Sequence, residues 1–448
     1  MLSAASVYLS GMRTGISLLV LSAAFTMNIL AQTPNELAEI WDKEHVSHKF
    51  PSNVRHQNLK NHLDALKKLG IKVDDVGRSV ANREIFQIEW GKGPKKVFMW
   101  SQMHGDEPTA TSALIDMFTV LQRNRDKDWV KGIENSMTIR AVPMLNPDGA
   151  ELYVRRNLQG LDINRDARNL ITPEARLLKS LRDTWLPEIG FNLHNQNELT
   201  TAGNTPKQAA ISFLSVYGDA AKTETDGQLR SKRMIFLMAE VLSNFIPGNI
   251  GRYADEWTPS AFGDSFSEWG TSVILIETGA LKEKDEMFLV KMNFVIFLTA
   301  LRSVADGSEK AAVPERYFEI PNNSSGGLVN IIFRNASIME RKPDSVVQVG
   351  DLAMNFQRRR AEFSSPTVIR QIGMLSAISG LEEYDASGFY VTGRIQPIKP
   401  GANGDLLFYK KDRKVDWTAP DLEKQFEPDA ILSFGKWFKG NGVVPKRN

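Results

Sequence analysis

The chain has 448 residues, 42% of them hydrophobic and 24% charged, which excludes a fibrous or wholly disordered protein and leaves room for two or three domains. Lysine and arginine number 55 against 53 aspartates and glutamates, a balance that gives no electrostatic footprint for nucleic acid. There is no cysteine, so disulfide scaffolds, thiol nucleophiles and Cys-ligated metals are excluded, and any metal must be held by carboxylates and by some of only six histidines.

Arg13 precedes an apolar stretch around Ile16–Met27 that ends in small residues at Ala31. Residues 1–31 therefore read as a signal peptide, with cleavage before Gln32 and an uncleaved N-terminal anchor as the alternative. The mature protein is expected to be secreted or periplasmic, with no stable membrane span. Residues 36–75 are rich in helix formers, with Leu59, Leu63, Leu66 and Leu69 at helical spacing. Four histidines (His45, His48, His56 and His62) fall there with no carboxylates at ligand spacing, and are read as surface or packing residues.

From residue 80 short apolar runs alternate with amphipathic segments. Strands are predicted over 84–90, 96–101, 137–145, 188–194, 209–217 and 272–277. Helices are predicted over 109–122, from Pro173 behind a Thr172 N-cap to about Trp185, and over 287–301. This alternation predicts an α/β domain over residues 32–308: a mixed, largely parallel twisted sheet with helices on both faces. The small, polar, proline-containing segment 302–316 is taken as a domain boundary, and the run Arg358–Arg360 as a solvated loop or edge. Short β-like runs at 329–333, 346–349, 389–394 and 406–409 then predict a smaller β-rich domain over 317–448, a sandwich in the simplest reading, of unknown role.

The two remaining histidines carry the chemistry. His104 opens His-Gly-Asp-Glu directly after a predicted strand, and His194 closes another. Both thus sit at strand carboxyl ends, where α/β folds build their sites. Glu107, near a helix start, can turn back to the same point, and two imidazoles with one carboxylate leave the fourth position of a catalytic zinc open. Alone, a His-x-x-Glu is also an ordinary polar loop and His194 a core histidine. Further signals follow in order: Asn-Pro-Asp-Gly at 146–149, Arg155-Arg156-Asn157, then Gly160-Leu-Asp162-Ile-Asn164-Arg165-Asp166, and Glu277 ending the strand Val-Ile-Leu-Ile. An acid after such a strand is expensive to bury unpaired and is expected to face a polar cleft.

This ordered set resembles the zinc carboxypeptidase family of metallopeptidases over roughly residues 80–300. The resemblance implies one Zn²⁺ held by His104, Glu107 and His194, with Glu277 as general base. Arg156 would stabilise the developing oxyanion, with Arg155 as the register alternative. Asn164 and Arg165 would grip a substrate's terminal carboxylate, and Asp162 would accept the free N–H of a ligating imidazole, most directly His104. Tyr253 matches the family's mobile tyrosine. Trp257, Phe262 and Trp269 are candidates to wall the side-chain pocket, and Asp255, Asp264 and Glu268 to make it accept a basic side chain. The family's frequent Glu-Thr-Gly-Gly is here Glu277-Thr278-Gly279-Ala280.

The expected activity is that of an exported zinc metallocarboxypeptidase acting on peptides. Two other readings stand beside it. The same centre suits a zinc amidase cleaving peptidoglycan stem peptides or N-acyl amino acids. A non-catalytic protein that binds peptide termini is the reading from another class.

Overall fold

A computed structural model describes residues 33–342, 347–357 and 363–447. The signal reading of residues 1–31 and the basic run 358–360 lie outside the described residues. In chain order the first domain comprises α1 (Pro34–Glu44), α2 (His56–Lys68), β1 (Lys72–Arg78), β2 (Glu84–Gly91), β3 (Lys95–Ser101), α3 (Thr109–Arg123), α4 (Asp128–Ser136) and β4 (Met137–Val142). It continues with α5 (Pro147–Leu152), α6 (Pro173–Trp185), β5 (Ile189–Asn195), β6 (Thr201–Ala202), β7 (Ile211–Ser215), α7 (Asp226–Leu242), β8 (Ile250–Arg252), α8 (Phe262–Glu268), β9 (Ser272–Thr278) and α9 (Glu286–Asp306).

The main sheet has the order β1-β2-β4-β3-β5-β9-β7-β8. Its centre, β4-β3-β5-β9, is parallel, while β1, β2 and β7 join antiparallel. The α/β expectation holds, with antiparallel pairing confined to the flanks. Side-chain alternation along β3 divides the core into two layers. Val97 and Met99 pack with α3 and α9 on one face, whereas Phe98 and Trp100 pack with α6 and α8 on the other. The Trp100 and Phe266 rings meet at 4.5 Å between centroids.

Helix α3 is buried along both faces because α9 lies across it, so its amphipathic pattern understates its burial. Asp116, inside α3, is 0% exposed and accepts bonds from Trp41 Nε1 (2.9 Å) and from the backbone N–H groups of Val46 and Ser47 (both 2.9 Å), tying the N-terminal segment to the core. Among the described residues α9 alone is long and apolar enough to cross a membrane, and it is a core helix with mean hydropathy 1.6 and 72% of its apolar window buried.

The segment 302–316 does not separate two domains. Helix α9 runs on to Asp306, and two 3₁₀ turns (Ser308–Ala311 and Pro314–Glu319) then lie against α7. Tyr317 and Ile320 enter the first core, and the Tyr317 hydroxyl accepts a bond from Ser215 N (3.3 Å). Polar composition misled here because the anchoring falls to isolated apolar side chains, Val304 within the stretch and Tyr317 and Ile320 just beyond it. The chain leaves the first domain through β10 (Asn323–Ser324), which pairs antiparallel with β6.

The β-rich region holds β11 (Leu328–Ile338), β12 (Gln348–Phe356), β13 (Thr367–Gly373), β14 (Ser379–Asp385), β15 (Phe389–Gly393), β16 (Leu406–Lys410), a short helix α10 (Leu422–Gln425), β17 (Ala430–Ser433) and β18 (Lys436–Lys439). It forms one eight-stranded sheet, not a two-sheet sandwich. Strand β11 pairs parallel with β14 over residues 328–334 and then with β15 at 337–338, its direction broken by Asn335 at φ 56°. The sheet encloses a core of its own around Phe333, Phe408 and Trp437.

Candidate metal centre

His104 and His194 stand where the strand pattern put them, beyond the carboxyl end of β3 and at that of β5. Gln102, in left-handed backbone at φ 51°, turns the chain sharply off β3, and its side chain closes the turn by donating to Gly105 O (2.9 Å) and accepting from Thr111 Oγ1 (2.9 Å). The Asn-Pro-Asp-Gly turn buttresses this loop. Asn146 caps α5 by accepting from Gly149 N (2.9 Å), while its amide donates to Met103 O (3.3 Å). A Cβ on Gly105 would lie 1.9 Å from the Gly149 carbonyl carbon, so the contact between the two motifs requires glycine. Asp148 holds the preceding hairpin through Ser79 Oγ (2.9 Å), Ala81 N (2.8 Å) and Arg83 Nη1 (2.6 Å).

The three expected ligands converge. His104 Nδ1 lies 2.9 Å from Glu107 Oε1, His194 Nδ1 lies 2.7 Å from Glu107 Oε2, and the two Nδ1 atoms are 3.2 Å apart. All three side chains are buried, and their donor atoms fall within 4.8 Å of one another. Ligands about 2.0–2.1 Å from a tetrahedral zinc stand about 3.3 Å from each other, so the spacing and the N,N,O chemistry both fit that ion. Asn195 N donates to Glu107 Oε2 (3.2 Å), fixing the carboxylate. On the far side of His104, Nε2 meets Asp162 Oδ1 at 3.1 Å, which presents Nδ1 to the cluster.

Burial alone would lower the His104 pKa, but the Glu107 charge and the Asp162 carboxylate hold it up at about 9. Burial lowers His194. Glu107 is fully buried, yet the two imidazoles hold its carboxyl far below the usual range, and His104 with Arg155 does the same for Asp162.

Of the two adjacent arginines, Arg155 faces the centre. Its Nη1 lies 3.2 Å from Glu107 Oε1 and 3.1 Å from His104 Nδ1, and its Nε donates to Asp162 Oδ2 (3.0 Å). Arg156, the residue preferred from the sequence, is exposed and bonds Gly160 O (2.9 Å), away from the cluster. Glu277 is the register partner of His194 across β5 and β9, so the two side chains leave the sheet on the same face.

Arg165 and Tyr253 line one pocket of about 510 Å³ with Thr200, Asp264 and Leu275. Burial pushes the Tyr253 phenol up, and the Glu277 and Glu107 charges add to the effect. Asn164 turns its carboxamide oxygen to Phe262 N (2.9 Å) at the start of α8, so that atom positions α8. Asp264 belongs to the pocket. Its carboxylate accepts from Thr258 N (2.8 Å), and burial raises its pKa to about 6. Phe262 and Trp269 do not wall the pocket: Phe262 is wholly buried in the second core layer and Trp269 packs against it. Glu268 is paired with Arg168, and Asp255 has its carbonyl on Lys222.

The four N-terminal histidines stay away from the centre. His45 stacks on Trp41 and His56 Nε2 bonds Glu84 O (2.9 Å).

Comparison with known proteins bears on the same segment. Residues 59–225 match the model of the zinc carboxypeptidase family, a span containing His104, Glu107, Asp162 and His194. The matched segment is similar to the zinc carboxypeptidase family. Relatives include "Carboxypeptidase 2" of Trichophyton rubrum, 29% identical over 319 residues, or 68% of this chain and 54% of that protein. "Probable carboxypeptidase 2" of Trichophyton verrucosum is 26% identical over 216 residues, 47% of this chain and 39% of that protein. The chain thus spans between about two fifths and just over half of these curated relatives. Among solved structures, a metallo-carboxypeptidase from Burkholderia cenocepacia aligns over 56% of this chain and 69% of its own, at 17% identity and TM-score 0.47. Zinc is the metal of that family, and the His104–Glu107–His194 donor set is suited to it.

Proposed function

We propose that this protein is an exported zinc metallocarboxypeptidase that releases the C-terminal residue of peptides. The observation that carries the reading is the buried His104–Glu107–His194 cluster beside a pocket lined by Arg165 and Tyr253. Zinc, when bound there, supplies a Lewis acid for a carbonyl and lowers the pKa of water towards about 7. The residues of the chain do the rest. Arg165 meets the terminal carboxylate of the substrate with a planar guanidinium, the geometry that selects a chain end over an internal peptide bond. Tyr253 closes over that carboxylate. Glu277, beside His194, takes a proton from the attacking water and passes it to the leaving nitrogen. Arg155 stabilises the oxygen that gains charge as the carbonyl is attacked, in the role the sequence assigned to Arg156. Asp162 holds His104 in the tautomer that ligates through Nδ1. Export rests on the leader-like composition before Gln32.

The test joins metal analysis to a C-terminal residue release assay. About one zinc per chain is expected, with release abolished by chelation and thermal stability lowered on zinc removal, because the metal binds only the folded state. Absence of stoichiometric zinc, or release that survives chelation, overturns the reading. Glu277→Gln with zinc retained separates an enzyme from a terminus-binding protein: full loss of turnover is the enzyme's result.

A further inference from the structure

The segment that leaves the first domain also enters its pocket. Asn323, Ser324 and Ser325 stand in the pocket lining with Arg165 and Tyr253, although Asn323 lies 158 positions after Arg165 (323 minus 165). The backbone there is held on both sides. Arg252 N donates to Pro321 O (2.8 Å), Gly203 N donates to Asn322 O (2.8 Å), and β10 pairs with β6.

The Asn323 side chain is engaged at each end. Its Oδ1 accepts from Ser212 Oγ (3.0 Å), and Ser212 is the register partner of Glu277. Its Nδ2 donates to Gln196 Oε1 (3.1 Å), two residues beyond the ligand His194. A primary amide carries two N–H donors, and the parallel bridge between Arg252 and Asn322 sets the next residues, Tyr253 and Asn323, side by side in the pocket wall. The approach is close enough that a Cβ on Gly251 would stand 1.9 Å from Asn323 Oδ1.

We propose that Asn323 is a positioning residue for Tyr253, so that the strand leading into the β-rich domain forms a working wall of the substrate pocket. Asn323 acts through the phenol and touches no reacting atom. It ties the β-rich domain to the pocket through residues 322–325, and so links an otherwise unassigned region to substrate binding. The inference rests on the carboxypeptidase reading for its kinetic consequence and not for the contact itself.

Two measurements on the zinc-loaded full chain test it. In the first, the rate at which tetranitromethane nitrates Tyr253 is followed by peptide mass spectrometry in the wild type and in Asn323→Ala. A phenol released from its partner nitrates several-fold faster, and an unchanged rate overturns the proposal. In the second, KM and kcat for a short peptide are measured in Asn323→Ala, Tyr253→Phe and the double variant. Loss of one hydrogen bond to a substrate-gripping group raises KM about tenfold, with little change in kcat. In the Tyr253→Phe background Asn323→Ala should then raise KM no further, whereas KM effects that multiply overturn the proposal. Should Asn323→Ala fail to accumulate folded, Asn323→Asp keeps the Ser212 bond, loses the N–H donors, and is judged by the same criteria. If the wild type releases no C-terminal residue, the carboxypeptidase reading fails, and nitration alone decides the positioning role.

Discussion

Replacing Arg155 and Arg156 one at a time by alanine separates two adjacent side chains, of which the sequence favoured Arg156 and the geometry favours Arg155. In the resting protein Arg155 bonds Glu107 (3.2 Å) and Asp162 (3.0 Å), but its side chain is 42% exposed, so solvent screening keeps each pair within about 1 kcal/mol of stability. Its larger effect should fall on the barrier. A donor aimed at a developing oxyanion is worth about 3–4 kcal/mol, a factor of about 10²–10³ in kcat. Arg156 makes one surface bond to Gly160 O, and its loss should move stability by no more than about 0.5 kcal/mol and the rate by less than about twofold. Steady-state release of a C-terminal residue is the assay, with zinc content measured on both variants, because Arg155 also borders the ligand Glu107. If Arg156→Ala is the slower enzyme at full zinc occupancy, the assignment of Arg155 is wrong.

Four further outcomes are expected. Gly105→Ala drives a Cβ into the Gly149 backbone and should destabilise by about 3 kcal/mol or more in urea unfolding, with loss of zinc. Gly132→Ala, at an exposed position of α4 with open space around it, should stabilise by about 0.5–1 kcal/mol. Asp264 has a folded pKa near 6 against 3.8, so between pH 4 and 6 the folded state binds more protons than the unfolded one and stability falls as pH rises through that window. Asp264→Asn should flatten that part of the thermal-stability profile, by about 1–3 kcal/mol at pH 7; an unaltered profile would show that Asp264 titrates normally. A chain ending at residue 308 lacks Tyr317 and Ile320 and should unfold at markedly lower urea than one ending at 326, which keeps both, and equal midpoints would contradict their place in the core.

Much of the metal centre was legible because each ligand sits next to a strong local signal. Apolar runs of strand length mark where β5 and β9 end, so His194 and Glu277 fall at the same edge without any knowledge of pairing. His104 and Glu107 share one loop, and Asp162 was implied by the resemblance to the zinc carboxypeptidase family. The choice between Arg155 and Arg156 was not legible: adjacent loop residues point in different directions, and the rotation depends on Asn146 and Gly149 holding the segment from outside. The aromatic residues near 260 were misplaced for a related reason. An amphipathic segment shows which side chains are apolar, not whether they face a cavity or a core, and Phe262 and Trp269 went to the core.

Strand and helix identity, the absence of thiol chemistry and the position of two histidines and an acid at strand ends follow from residue type and local period, which a short window of sequence contains. The antiparallel flanks of the sheet, the burial of Asp116 beneath the N-terminal segment and the entry of Asn323 into the pocket were decided by tertiary structure. Each joins residues far apart in the chain, and such contacts are selected by the total burial and hydrogen bonding of the folded state, not by any local preference.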